Sequence, residues 1–204
     1  MIAMKNKNSL FFLTVSAVFV AIIAVMCFTQ IGYLKFGIIE ITLISIPVAF
    51  GGAILGKWGG LLLGAAFGIS SFIQCFGFSA FGAALLSINP FWTFVVCLLP
   101  RMIAGFVSAL TFESLSKKLN SAVSGLLSFF LAAALNTIGF VGLLMLFFSK
   151  TEYMQGISDQ LGATNVFMFA VLFAGVNALV EAGACTACGA ALGPVAKRLK
   201  AQIK

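Results

Sequence analysis

Long apolar stretches separated by short polar breaks run through the whole chain. The breaks divide the sequence into six apolar segments, at residues 10–30, 43–56, 58–76, 91–115, 122–148 and 166–194. A membrane helix needs roughly 20 apolar residues to cross about 30 Å of hydrocarbon. The pattern therefore predicts an all-α membrane protein, a compact six-transmembrane-helix bundle that forms one domain over residues 1–204, with a short second helix and a retained first helix.

The charges between these segments orient the predicted bundle. If the amino terminus is cytoplasmic, nine basic residues fall on the inner side, whereas only Lys35 and Lys150 lie in outer loops. Basic residues accumulate in cytoplasmic loops, so we expect both termini in the cytoplasm. Three outer loops then span residues 31–42, 77–90 and 149–165. They are longer than the inner loops, and they either cover a pocket as a lid or simply connect helices.

Composition excludes several classes of protein. With 62% hydrophobic and 8% charged residues and a mean hydropathy of +1.17, the chain is too apolar for a soluble domain. The net charge of +7 does not indicate nucleic-acid binding, because the basic residues stand at hydrophobic boundaries rather than among aromatic residues. Histidine is absent, which removes the usual Ser-His, Cys-His and zinc sites. We therefore predict no enzyme activity, no metal site and no cofactor.

One motif keeps an enzymatic alternative open. Cys185 and Cys188 form a C-x-x-C pair, whose spacing is compatible with a membrane thiol-disulfide oxidoreductase. Such enzymes usually need a second cysteine pair, and Cys27, Cys75 and Cys97 lie in three different segments. Small-residue packing is the other interpretation of the motif, since cysteine in an apolar segment behaves as a small hydrophobic residue.

Four polar side chains fall at mid-membrane depth: Arg101, Asn136, Asn177 and Glu181. A charge at the bilayer centre costs about 2.5–3.5 kcal/mol on insertion scales, so these side chains should face the bundle interior and mark a substrate site. Arg101 either clamps a substrate carboxylate or pairs with Glu181. Asn136 and Asn177 either bind polar groups of a ligand or form hydrogen bonds between helices.

Other candidates lie nearer the membrane surface. Trp92, at the predicted outer start of the fourth helix, either anchors the interface or walls a pocket, and Gln74 and Asn89 are rim candidates for substrate binding. Ala17 and Ala21 form a small-residue ridge on the first helix. Such a ridge lets another helix approach closely, within this chain or in a partner subunit.

Taken together, these features resemble the S-components of energy-coupling factor transporters. The resemblance is carried by the Ala17-x-x-x-Ala21 ridge, the segment IPVAFGGAILG at residues 46–56, the Leu99-Pro100-Arg101-x-x-x-Gly105 segment and the six-helix layout. It implies a bacterial-type plasma membrane protein that captures a small vitamin from outside. It also implies assembly with a transmembrane coupling protein, contacted through Ala17 and Ala21, and with two cytoplasmic ATPases.

The resemblance further implies that the subunit topples in the membrane to release its substrate. The chain has no phosphate-binding G-x-x-x-x-G-K-[ST] loop, so it does not power transport itself. Pro100-Arg101 with Asn136 is most similar to the pantothenate-specific members. Binders of folate, thiamin, riboflavin, lipoate and hydroxymethylpyrimidine share the scaffold, and the sequence shows no obvious aromatic cage for a flat ring. A stand-alone small-solute carrier is the remaining alternative.

Overall fold

The computed structural model describes residues 2–29, 32–36 and 39–201, and within them the chain forms eight helices and one two-stranded hairpin. In chain order the elements are α1 (Ile2–Phe28), β1 (Tyr33–Phe36), β2 (Ile39–Thr42), α2 (Ser45–Leu55), α3 (Lys57–Gln74), α4 (Ala80–Ile88), α5 (Pro90–Leu115), α6 (Ser121–Phe148), α7 (Glu152–Gln160) and α8 (Val166–Ala201).

The predicted apolar segments correspond to six of these helices, namely α1, α2, α3, α5, α6 and α8. Four of them, α1, α5, α6 and α8, are long and apolar enough to cross a membrane by length and composition. The helix α2 has 11 residues, which at 1.5 Å per residue is too short to cross alone. A multi-pass membrane protein is thus supported, whereas six crossings and cytoplasmic termini stay predictions.

Three predicted loops contain regular structure. The first holds the antiparallel pair β1–β2, in which Tyr33 faces Thr42. The other two hold α4 and α7, each begun by a hydroxyl that accepts a backbone N–H: Ser79 for α4 and Thr151 for α7. A side chain at the N-cap satisfies one of the orphan donors of the first turn, which helps such short helices to form. The sequence predicted three loops here without regular structure of their own, and each of them contains a helix or a hairpin.

Two boundaries depend on glycine and proline. Gly56 adopts a φ of +82°, a conformation that favours glycine, and the chain turns there from α2 into α3 as predicted. The last helix does not end at Pro194, as the sequence suggested, but continues to Ala201. Proline is tolerated inside membrane helices when neighbouring helices support the local backbone. Gly193, beside Pro194, packs directly against the backbone of α6 at Ser121.

Glycines bring two pairs of helices into close contact. A Cβ on Gly60 would overlap the carbonyl oxygen of Gly105, and one on Gly64 would overlap the carbonyl of Arg101, so α3 and α5 cross backbone to backbone. Gly125 and Gly189 bring α6 and α8 together in the same way. Small residues at crossings let membrane helices gain van der Waals contact. These two crossings fix α5, α6 and α8 around the polar centre of the bundle.

Candidate ligand-binding site

Arg101 lies inside the bundle, on the face of α5 that α3 and α6 cover. Arg101 is 8% exposed, and its guanidinium carbon lies 5.4 Å from the ring centroid of Phe67 and 4.7 Å from that of Phe140. Both distances suit cation–π attraction. Its burial agrees with the expectation that a charge in a membrane helix turns away from lipid.

Pro100 explains the one hydrogen bond that Arg101 is seen to make. Proline has no N–H, so the carbonyl of Val96, four residues earlier, loses its helical donor. The Nη1 of Arg101 donates to this Val96 oxygen at 2.7 Å. Within the described chain, the Nε of Arg101 is buried without a hydrogen-bond partner. No carboxylate of the described side chains lies within 4.0 Å of the guanidinium, so Arg101 and Glu181 form no ion pair here.

A small cavity adjoins the guanidinium. Arg101, Asn136, Ser45 and Phe67 line it together with apolar residues of α2, α5 and α6. Its volume is about 10 Å³, enough for about one water molecule. The cavity therefore joins a cationic donor, an amide and a hydroxyl at the meeting point of α2, α3, α5 and α6.

Glu181 forms the second half of the polar centre. It is 1% exposed, and it accepts hydrogen bonds from Ser45 Oγ at 2.5 Å, Asn136 Nδ2 at 3.4 Å and Thr137 Oγ1 at 3.4 Å. The helices α2, α6 and α8 thus meet on one carboxyl group. Ser45 was not among the predicted site residues, and its separation of 136 positions from Glu181 gives no sequence signal for the contact.

The two predicted asparagines both keep unused hydrogen-bonding capacity, but of the two only Asn136 is among the residues that line the Arg101 cavity. Asn136 is 6% exposed, and Asn177, one turn before Glu181, is partly buried. In the described residues the Oδ1 atoms of both amides are buried without a donor. A buried polar group without a hydrogen-bond partner costs about 1–3 kcal/mol of folding stability, so these two amide oxygens lower the stability of the fold.

The three rim candidates lie elsewhere. Trp92 stacks on Phe147, with ring centroids 3.8 Å apart and an interplanar angle of 14°. The side chain of Asn89 accepts from the N–H of Trp92 at 3.1 Å and so caps α5, and Gln74 donates to the carbonyl of Cys27 on α1. None of the three is among the residues that line the Arg101 cavity.

An aromatic cluster, which the sequence did not reveal, fills the end of the bundle where α4, α5, α6, α7 and α8 meet. Phe81 lies 6.1 Å from Tyr153 and 5.6 Å from Phe173, measured between ring centroids. A second cavity, of about 190 Å³, lies under α7 beside this cluster, lined in part by Met145, Met154, Gln155, Asn165 and Phe169. The predicted loops at residues 77–90 and 149–165, which contain α4 and α7, form part of this region.

Four of the five cysteines lie in two places. Cys185 is fully buried against Ala49, Phe129 and Ala132, whereas Cys188 is partly exposed, and both are free thiols. The structure also brings Cys75 and Cys97 together, with their sulfur atoms 3.9 Å apart. The sequence separated these two thiols into different segments, and only the α3–α5 crossing makes them neighbours.

The first helix has one buried and one open face. Ser16, Phe19 and Ile23 turn into the bundle, whereas Ala17 and Ala21 are exposed. Their neighbours Leu13, Val18 and Val25 are exposed too. The alanine ridge therefore does not pack within this chain, and it is open to lipid or to another helix.

The family described as "ECF transporter, substrate-specific component" has a model that matches residues 11–192, a range that begins within α1, ends within α8 and includes all the helices between them. No individual curated protein matches the chain. The family match covers the cavity, the Glu181 centre and the alanine ridge.

Proposed function

The chain belongs to the substrate-specific components of ECF transporters, a family of transporter subunits, and from this premise we propose that it captures pantothenate from outside the cell for ATP-driven uptake. Arg101 is the observation that carries the ligand assignment. A buried guanidinium without a carboxylate partner is costly unless another anion meets it. A small monoanionic ligand bound next to Arg101 supplies that negative charge.

The polar centre suits a ligand of mixed polarity. A guanidinium binds carboxylates through paired, charge-assisted hydrogen bonds. Asn136 and Asn177 each keep an unpartnered amide oxygen, which accepts from hydroxyl or amide N–H groups. Pantothenate carries one carboxylate, two hydroxyls and an amide, so it matches both kinds of group.

Binding requires the centre to enlarge, because a cavity of about 10 Å³ holds no more than about one water molecule. The glycine crossings tie α3 to α5 and α6 to α8 by backbone contact, so these pairs are the natural rigid units. We propose that the larger cavity under α7 is the route by which the ligand approaches. On this proposal α7 and α4 act as the lid over the site.

A ring-bearing vitamin is the second candidate ligand, favoured by the aromatic cluster around Phe81, Trp92, Phe147 and Phe173. Aromatic rings attract other rings in offset or edge-on contact. Such a ligand would occupy the cavity under α7, where Phe169 of the lining packs against the aromatic cluster. Competition between pantothenate and flat-ring vitamins for binding separates the two candidates.

Partner assembly rests on the open face of α1. Ala17 and Ala21 are exposed and small, which allows a second membrane helix to approach closely. We propose that this ridge contacts the coupling protein, which in turn binds the two ATPases. Changing both alanines to leucine should leave substrate binding intact and lower ATP-driven uptake at least about tenfold, the loss of about 1.4 kcal/mol of contact energy.

Titration of purified protein with radiolabelled pantothenate tests the assignment directly. We expect Arg101→Ala to weaken binding about 100-fold, because a hydrogen-bonded charge contact is removed. Unlabelled riboflavin, folate, thiamin and lipoate serve as competitors. Unchanged affinity in a folded Arg101→Ala protein would remove the clamp, and displacement by a flat-ring vitamin but not by pantothenate would select the second candidate.

Two further experiments separate the other classes of function. Uptake by proteoliposomes that contain this chain alone, without coupling protein or ATP, would identify a stand-alone carrier. Replacing Cys185 and Cys188 by alanine should leave ligand binding unchanged, since the buried Cys185 thiol packs among apolar side chains. Loss of a measurable thiol-disulfide exchange activity in that variant would instead favour the oxidoreductase.

A further inference from the structure

Asn136 belongs to two environments at once. It lines the cavity beside Arg101, and its Nδ2 donates to Glu181 on α8. Glu181 itself is not among the cavity-lining residues. The Glu181 carboxyl group therefore does not line the cavity itself, but it accepts hydrogen bonds from two residues that do, Asn136 and Ser45.

The position of Glu181 is fixed from several sides. Ser45 Oγ donates to its Oε1 at 2.5 Å, a length typical of a strong bond to a carboxyl oxygen. Thr137 Oγ1 donates to Oε2 at 3.4 Å. Held in this way, Oε1 also accepts from Asn136 Nδ2, so a single acceptor atom receives donors from α2 and α6.

An asparagine amide has a donor end and an acceptor end, and it can rotate to exchange them. Because the Oε1 of Glu181, which already accepts from Ser45, presents an acceptor to Nδ2, it selects the rotamer in which Oδ1 points away. That Oδ1 is buried and without a donor in the described chain, on a side chain 6% exposed. The amide oxygen is thus the hydrogen-bonding atom that Asn136, a residue of the cavity lining, has left for a ligand.

We propose that Glu181 is a positioning residue that fixes the amide of Asn136 with its oxygen toward the ligand. The site then selects molecules that present an acceptor to Arg101 and, on the same face, a hydrogen-bond donor to Asn136. This inference rests on the proposed function of the cavity as the substrate site. It assigns Glu181 no contact with the ligand and no dependence on its charge.

Two substitutions separate an acceptor role from a charge role. Glu181→Met removes both oxygens at similar length, and we expect it to weaken pantothenate binding about tenfold, the usual effect of one hydrogen bond. Glu181→Gln keeps Oε1 as an acceptor for Ser45 and Asn136, and its affinity should stay within about threefold of the parent. Equal losses in both variants would show that the charge matters and would overturn the proposal.

Ligand analogues distinguish positioning from a general structural effect. In pantothenate analogues that replace each hydroxyl in turn by hydrogen, one analogue should lose affinity in the parent protein yet lose nothing further in Glu181→Met. Likewise, Asn136→Ala and the Asn136→Ala, Glu181→Met double variant should bind pantothenate equally, because coupled residues are not additive. Additive losses would contradict the proposal.

Ser128→Ala is the matched control, since Ser128 is a buried α6 residue that donates to the carbonyl of Ser108, away from the cavity. It should bind pantothenate like the parent. Each variant is compared by its unfolding midpoint in detergent, so that a loss of fold is not counted as a loss of affinity.

A ligand-free readout keeps this inference separate from the vitamin assignment. In protein labelled with [15N]asparagine, the side-chain NH₂ signals of Asn136, identified by their loss in Asn136→Ala, should be protected from solvent exchange. They should shift and lose protection in Glu181→Met but not in Glu181→Gln. If the parent protein does not bind pantothenate, the ligand assignment fails and this readout still decides: unchanged Asn136 signals in Glu181→Met would overturn the positioning role.

Discussion

Arg101 and Glu181 occupy neighbouring parts of one buried centre, yet their surroundings differ sharply in hydrogen bonding. Glu181 accepts from three side chains on two other helices. Arg101 has two aromatic rings and one backbone carbonyl, and its Nε has no partner among the described residues. The carboxyl group is satisfied by the fold, whereas the guanidinium keeps capacity for something else. Burial alone therefore does not identify a binding group, because the state of its hydrogen bonds also matters.

Breaking the crossing that carries Arg101 should have the largest effect on stability. A methyl group at Gly64 would overlap the Arg101 carbonyl, so Gly64→Ala should separate α3 from α5 and cost about 3 kcal/mol of unfolding free energy or more. Gly142→Ala on α6 is the control, since nothing described lies within 4 Å of its added methyl. It should stabilise the helix by about 0.5–1 kcal/mol. Chemical denaturation in detergent measures both, and equal stability of the two variants would contradict the packing argument.

Methionine at the two charged positions should give opposite results. Glu181→Met leaves the donors of Ser45, Asn136 and Thr137 without their acceptor and should lower the unfolding free energy by about 2 kcal/mol. Arg101→Met removes a buried charge that has no described carboxylate within 4.0 Å, so the protein should be as stable as the parent or more so. Thermal unfolding of the two variants side by side makes the measurement. A larger loss in Arg101→Met would mean that the fold, and not a ligand, requires the guanidinium.

How far the sequence predicts this centre depends on the physics of each contact. The cost of charge in hydrocarbon was enough to expect Arg101 and Glu181 inside the bundle. The contact of Ser45 with Glu181 and the sulfur pair of Cys75 and Cys97 were not predictable, because they arise from helix crossings between distant segments. No local pattern specifies such a crossing.

The helices likewise include some that the sequence predicted and some that it missed. The long apolar segments predicted all six principal helices, since their length leaves few alternatives. The short helices α4 and α7 were missed because nine residues give little periodic signal, and only the capping residues Ser79 and Thr151 marked their starts. The aromatic cluster was missed for that reason too, since α4 and α7 carry Phe81 and Tyr153 into it.

The amides of Asn89 and Asn136 should have different roles, and replacing Asn89 should destabilise the protein less than the substitutions above. Asn89 caps α5 through the N–H of Trp92, so Asn89→Ala should cost about 1 kcal/mol of stability. Because Asn89 is not among the residues that line the Arg101 cavity, its replacement should leave pantothenate affinity unchanged, whereas Asn136→Ala should weaken binding about tenfold. Denaturation and radioligand binding on the same preparations separate the two roles. Weaker binding in Asn89→Ala at full stability would restore Asn89 as a ligand contact.

Pro100→Ala should have the smallest effect, and it addresses the reason why Arg101 keeps its single hydrogen bond. Alanine supplies the N–H that proline lacks, so the Val96 carbonyl regains its helical donor and releases the Nη1 of Arg101. The guanidinium then loses the contact that orients it between Phe67 and Phe140, and pantothenate affinity should fall about threefold from the added freedom of the side chain. Pro100→Ala should have no such effect in an Arg101→Met background. An equal loss in both backgrounds would place the effect in the packing of the Pro100 ring against Gly139 rather than in the orientation of the guanidinium.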